Sequence, residues 1–133
     1  PLKNIKETGD FCFNVATEPV WQQMVDTGNA IPEDESEFDA TGLTPIPPVK
    51  VNSPRVKEVP IHFECKLHQV IELGPHKHPL VIGEVVYFHV APDCMTDGYI
   101  DMKKLRPMGR LNGHFYSPLA EILERKFEDG QPR

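Results

Sequence analysis

Positive charge is what this chain is short of. Its 14 Lys and Arg stand against 20 Asp and Glu, a formal charge of -6, so the cationic excess that binds phosphate backbones is missing and no nucleic acid partner is expected. Long apolar runs are absent too. Nothing approaches the ~20 residues that span a bilayer, and the opening PLKNIKETGDF lacks the apolar middle of a signal peptide, which predicts a cytoplasmic protein with no membrane partner. Cysteine is scarce: Cys12, Cys65 and Cys94 are odd in number, far apart and without a CxxC pair. That pattern predicts buried or free thiols in a reducing compartment. No internal repeat, P-loop or dinucleotide fingerprint occurs within residues 1–133, and the length suits a single domain with one core.

What the chain does have is strand periodicity. Residues 61–73 alternate Ile61, Phe63, Cys65, Leu67, Ile71 and Leu73 with His62, Glu64, Lys66, His68 and Glu72, the mark of a long half-buried strand. GPHKHP follows as a turn. LVIGEVVYFHVA is then apolar at nearly every position, as a strand covered on both sides would be, and the two strands are expected to pair as an antiparallel hairpin. DFCFNVA is a shorter strand. Before it, Leu2 and Ile5 with Gly9 as a stop predict a helix over 1–8; after it, Thr17 caps a helix whose buried stripe is Val20, Trp21, Met24 and Val25.

Between 31 and 60 the chain carries six of its fourteen prolines and a run of acids, which predicts extended loop with at most a helical turn near ESEFDATG. Loops this long inside one domain are often lids or dimer arms. Further on, a turn at Asp97-Gly98, a short helix at 101–105 and a glycine-rich loop at 107–114 are expected. Leu119, Ile122, Leu123 and Phe127 then repeat at helical spacing after Pro118. Long strands, proline-rich crossovers and few helices predict a closed or nearly closed β-barrel.

The tripeptide HKH, residues 76–78, raises a metal reading. His76, His78, Glu84 and, after PMGRLNGH, His114 approach the ligand set of a cupin-like barrel. The spacing departs from it, since the Glu comes one residue late and the distant His two, and a one-residue slip on a strand reverses its face. A metal is therefore not expected.

NVATEPVWQQMVDTG, DESEFDATGLTPIPPVKVNSPRVKEVPIHFECKL, HPLVIGEVVYFHV and GRLNGHFYSP, in this order, resemble the flavin reductase-like family of FMN-binding split barrels over almost the whole chain. The resemblance implies a Greek-key split β-barrel that forms a homodimer, binds FMN near the subunit interface and passes hydride from NADH or NADPH to flavin. It also implies that His78, ahead of LVIGEV, faces the flavin or the nicotinamide, while His76 is a solvent-facing turn residue. In the family further strands precede the first helix, so an N-terminally incomplete cofactor surface is expected here.

Hydride transfer to flavin leaves negative charge on the ring's pyrimidine end, which calls for N–H donors or a cation but no nucleophile. Arg110, His114 and Tyr116 meet that demand. Arg110 suits a phosphate of either cofactor, Gly109 and Gly113 allow close backbone approach, and Tyr116 can rim the isoalloxazine. Each has a plainer alternative: a salt bridge for Arg110, a core position for Tyr116. Asn14 is read as supporting the cofactor loop or, equally, as satisfying backbone. The alternatives for the whole chain are a flavin-binding or structural barrel without turnover, and the metal barrel.

Overall fold

Gly9, at φ 73°, ends the first helix by adopting a conformation that other residues resist. In the computed structural model, which describes residues 2–32 and 35–123, helix α1 (Leu2–Thr8) leads through it into strand β1 (Asp10–Asn14). A 3-10 turn over Glu18–Val20, with Pro19 in its first turn, runs into α2 (Trp21–Asp26). Ser36 Oγ accepts from Phe38 N–H at 3.2 Å to cap α3 (Glu37–Thr41), the helical turn expected near ESEFDATG. The proline-rich loop that follows is extended apart from the pair β2 (Pro45–Ile46) and β3 (Arg55–Val56).

The long hairpin is β4 (Ile61–Leu73) and β5 (His78–Val90), and β1 pairs with β4 to give an antiparallel sheet in the order β1-β4-β5. Register shifts at Glu64/Cys65 and Leu67/Gln69 bend the hairpin. Beyond it come a 3-10 turn (Pro92–Cys94), β6 (Met95–Thr96) and β7 (Tyr99–Ile100), joined by a tight turn in which Asp97 and Gly98 both take positive φ. Asp101 caps α4 (Met102–Leu105), and β8 (Met108–Arg110) pairs with β9 (Tyr116–Pro118). The architecture is mainly β with short peripheral helices.

The core is small and sits where β4 begins and β5 ends: buried Ile61, Cys94 and Leu105, with Val15, Phe63, Val90 and Ala91 against them. Three expectations are corrected. Strand β5 is not covered on both sides; Val85 and Phe88 are 52% and 65% exposed, because among the described residues β5 pairs only with β4 and forms the sheet's edge. Trp21 does not join the buried stripe of α2 and is 37% exposed. Residues 119–123 are not helical: they follow Pro118, which is paired to Met108 at the end of β9, and Leu123 is 84% exposed. Phe127 lies outside the described residues.

Candidate functional site

At the tip of the hairpin the chain reverses through Gly74 and Lys77, both at positive φ, with Lys77 N–H donating to Gly74 O at 3.1 Å. His78 opens β5 opposite Leu73, and its exposed ring stands 6.0 Å from that of His76. HKH is thus a polar turn that presents His78 to solvent.

The segment around Arg110 is a second hairpin. Arg110 pairs with Tyr116 across β8 and β9, Leu111 N–H reaches Phe115 O at 2.9 Å, and Gly113 turns the loop at φ 57°. Gly109 is not demanded by this geometry, since a Cβ there would meet Ser117 O at an ordinary 3.6 Å. The guanidinium carbon of Arg110 lies 6.0 Å from the Tyr116 ring centroid, and its Nη2 donates a weak 3.4 Å bond to Gly113 O. The plainer reading of Arg110, an ion pair, is not met among the described residues. Tyr116 is half-buried against Trp21, and His114 packs on Phe115 with centroids 5.5 Å apart. The hairpin is tied down by Met108 N–H to Ala16 O at 3.0 Å, by the bridge between Thr17 and Pro107, and by Arg106 to Glu18 at 2.8 Å.

Those ties put it beside the start of β4. Asn14 pairs with His62 at that end of the strand, whereas His78 pairs with Leu73 at the other, roughly 35 Å away along the strand at ~3.3 Å per residue. One subunit therefore does not bring His78 to Arg110, His114 and Tyr116. For the same reason His114 is remote from His76 and His78, and among the described residues no group of three ligating side chains could hold a metal.

Asn14 serves the scaffold. Its Oδ1 accepts from Val56 N–H at 3.0 Å and from His62 Nδ1 at 2.8 Å, and its Nδ2 donates to Cys12 O at 3.2 Å. Beyond it lies a feature that sequence reasoning misses, since strand alternation marks His62 and Glu64 only as polar positions. Glu64 is fully enclosed and accepts from His89 Nε2 at 2.6 Å, Lys50 N–H at 2.6 Å and Val49 N–H at 2.8 Å. Burial pushes its pKa up, but the His89 bond and the two backbone N–H groups outweigh that and hold the carboxylate below its ordinary range. His62 is pushed down to about 4, by burial first and then by the charges of Arg55 and His89. Asp10 likewise accepts from Asn52 and Ser53, its hydroxyl bond from Ser53 being 2.6 Å. These carboxylates pin the proline-rich loop to the sheet. The one available signal was a Glu between apolar neighbours on a strand, and nothing local marks its loop partners.

A groove of about 1040 Å³ runs over the free side of β1, walled by Ile5, Phe11, Phe13, Met24, Phe38 and Val56. Cys12, whose thiol burial and the Glu64 charge push up to about 11, also lines it. All three cysteines are free. Among the described residues no helix is long and apolar enough to cross a membrane.

A family model described as a flavin reductase like domain matches residues 2–116. An uncharacterized protein of Aquifex aeolicus is 33% identical over 116 residues, covering 86% of this chain and 58% of its own. Nitrilotriacetate monooxygenase component B from Bacillus cereus superposes with a TM-score of 0.87 at 36% identity, over 92% of this chain and 63% of its own. A structure described as a flavin reductase with a split barrel domain, from Shewanella frigidimarina, gives 0.84 at 29% identity, over 96% and 65%. The chain spans about three fifths of the length of the curated relatives it matches.

Proposed function

The chain belongs to the flavin reductase-like family of split-barrel proteins, and from that premise we propose that it is an oxidoreductase that binds FMN and passes hydride from NADH or NADPH to flavin. The observation that carries this reading is the family match over residues 2–116. Residues 1–133 act as one domain, in the cytoplasm, as a homodimer.

Distance supports the dimer. His78 and the Arg110 hairpin lie at opposite ends of β4 within one subunit, so a shared site requires the hairpin tip of one copy to meet the Arg110 end of another. Arg110, without a carboxylate partner among the described residues, fits a phosphate, and Tyr116 with the backbone turn at Gly113 fits the edge of a flat ring. Bound FMN would supply a ring that accepts hydride and returns it to an acceptor. The protein's part is to orient that ring, to place N–H donors from His114 and a cation from Arg110 where negative charge collects, and to guide the nicotinamide with His78. Asn14 acts indirectly, by holding His62 and Val56.

A flavin-binding barrel without turnover is the second reading, and the separation of His78 from Arg110 within one subunit favours it for a lone monomer. Absorbance of the purified chain with and without FMN, then oxidation of NADH and NADPH on adding flavin, tests both. Yellow protein with turnover supports the first reading; yellow protein without it supports the second. Mixing His78→Ala with Arg110→Gln subunits should restore activity absent from either alone, and no recovery would remove the shared site.

A further inference from the structure

The two edges of the three-stranded sheet are finished differently. On β1, Leu67 N–H bonds to Gly9 O and Ile61 O takes Val15 N–H, so alternation turns the backbone groups of Asp10 and Cys12 away from β4. Two of those groups are already answered: Asp10 N–H meets Thr8 Oγ1 at 3.4 Å, and Cys12 O takes Asn14 Nδ2 at 3.2 Å. The proline-rich loop lies along the same flank, where Val56 N–H reaches Asn14 Oδ1 at 3.0 Å. Strand β5 has no such cover. It runs for 13 residues, pairs among the described residues with β4 alone, and shows Leu80, Ile82, Val85 and Phe88 at 46%, 36%, 52% and 65% exposure. An edge about 40 Å long can take on the order of a dozen backbone hydrogen bonds from another strand.

Which strand it takes follows from where the site residues lie. His78 begins β5, Val90 ends it and Glu84 is midway. Two identical strands joined edge to edge by a two-fold axis run antiparallel, and with the axis at Glu84 the His78 of one copy stands opposite the Val90 of the other. Val90 pairs with Ile61. The Ile61 carbonyl takes Val15 N–H, and the next residue, Ala16, holds Met108 of the Arg110 hairpin. The distance from His78 to that segment thus shrinks from roughly 35 Å within one subunit to roughly 15 Å between two, three strand spacings. A foreign strand on this edge would leave the two halves of the site apart.

We infer that β5 is the dimer seam: two copies pair their β5 strands antiparallel across a two-fold axis at Glu84, joining two three-stranded sheets into one. This rests on the shared-site reading above and names the surface that builds the site. Glu84 meets its own copy at the axis, a like-charge contact softened by Lys66, its register partner on β4. Slipped registers compete with this pairing only when the protein is crowded.

Sedimentation velocity of the full chain should show a dimer. Val85→Lys should give a monomer with an unchanged circular dichroism spectrum, because a lysine on an exposed edge blocks pairing and spares the fold. Glu84→Gln removes the like-charge contact and should tighten the dimer about threefold. Glu84→Cys, its two copies standing about 5 Å apart at Cβ, should form a disulfide-linked dimer under mild oxidation, whereas Lys103→Cys, exposed on α4, should not. A monomeric parent, a dimer unmoved by Val85→Lys, or Glu84→Cys chains that stay unlinked would each overturn the seam. If a dimer indifferent to Val85→Lys still recovers activity when His78→Ala and Arg110→Gln subunits are mixed, the seam falls and the shared site stands. A dimer that Val85→Lys dissociates, without that recovery, keeps the seam and removes the shared site.

Discussion

His89 Nε2 lies 2.6 Å from Glu64 Oε1 across the β4–β5 hairpin, and the carboxylate it reaches is wholly removed from solvent. The same carboxylate takes the N–H groups of Val49 and Lys50, so one buried charge fastens the proline-rich loop to the middle of the sheet. A buried charge that loses its partners is costly, whereas one already hydrogen-bonded on several sides is retained.

Glu64→Gln should therefore destabilise the fold by about 3 kcal/mol, because an amide can accept only through one atom and faces the two N–H donors and His89 with an N–H pair of its own. Chemical denaturation measures it. A midpoint unmoved from that of the parent would show that the loop is held by something else.

Acid should loosen the structure earlier than carboxylates alone would allow. His62 titrates at about 4 in the fold against 6.5 for the free side chain, so between those values the unfolded chain binds the extra proton, and stability falls as pH drops through that window. Below about 4 this contribution is fully lost. The lowered pKa values of Glu64 and Asp10 act in the same sense, their stabilisation disappearing as pH falls through the carboxylate range. Thermal melting from neutral to acid pH should show His62→Gln flatter than the parent above the carboxylate range; identical slopes would discount the histidine.

Gly83 is a packing glycine. A Cβ there would sit 2.5 Å from the tip of the Phe11 ring and 3.1 Å from Cys65 Cβ, so Gly83→Ala should cost about 1–3 kcal/mol. Phe11→Leu in the same chain shortens the obstructing side chain and should return part of that loss. If the double variant is no more stable than Gly83→Ala alone, the ring is not the obstacle.

For turnover, His78→Ala should slow NAD(P)H oxidation at least tenfold, the equivalent of one hydrogen bond to a charged group, while His76→Ala should stay within about twofold. Equal effects would return both histidines to the role of turn residues.

The elements that local chemistry decides were readable in advance. Period-two alternation marks β4, Asp97-Gly98 marks the turn between β6 and β7, and Gly9 marks the end of α1. Burial was not, because it depends on what lies alongside: VVYF spells a covered strand, but Val85 and Phe88 are open where, among the described residues, no strand other than β4 pairs with β5. The partners of Glu64 were hidden in the same way, for Val49 and Lys50 reach it from a loop 14 to 15 residues upstream. Of the candidate site, the sequence names Arg110, Tyr116 and His78 as residues, but the strand pairing of Arg110 with Tyr116 and the placement of His78 at the opposite end of β4 follow from register, which no motif records.

The flank of β5 left open among the described residues has a consequence for anyone handling this polypeptide. Thirteen residues with an open row of amides, carrying Leu80, Ile82, Val85 and Phe88 at the surface, form a template onto which further strands can zip, and only Pro79 and Glu84 interrupt it. Concentrated solutions should thicken into thioflavin-positive assemblies, and a lysine introduced at Val85 should keep them clear.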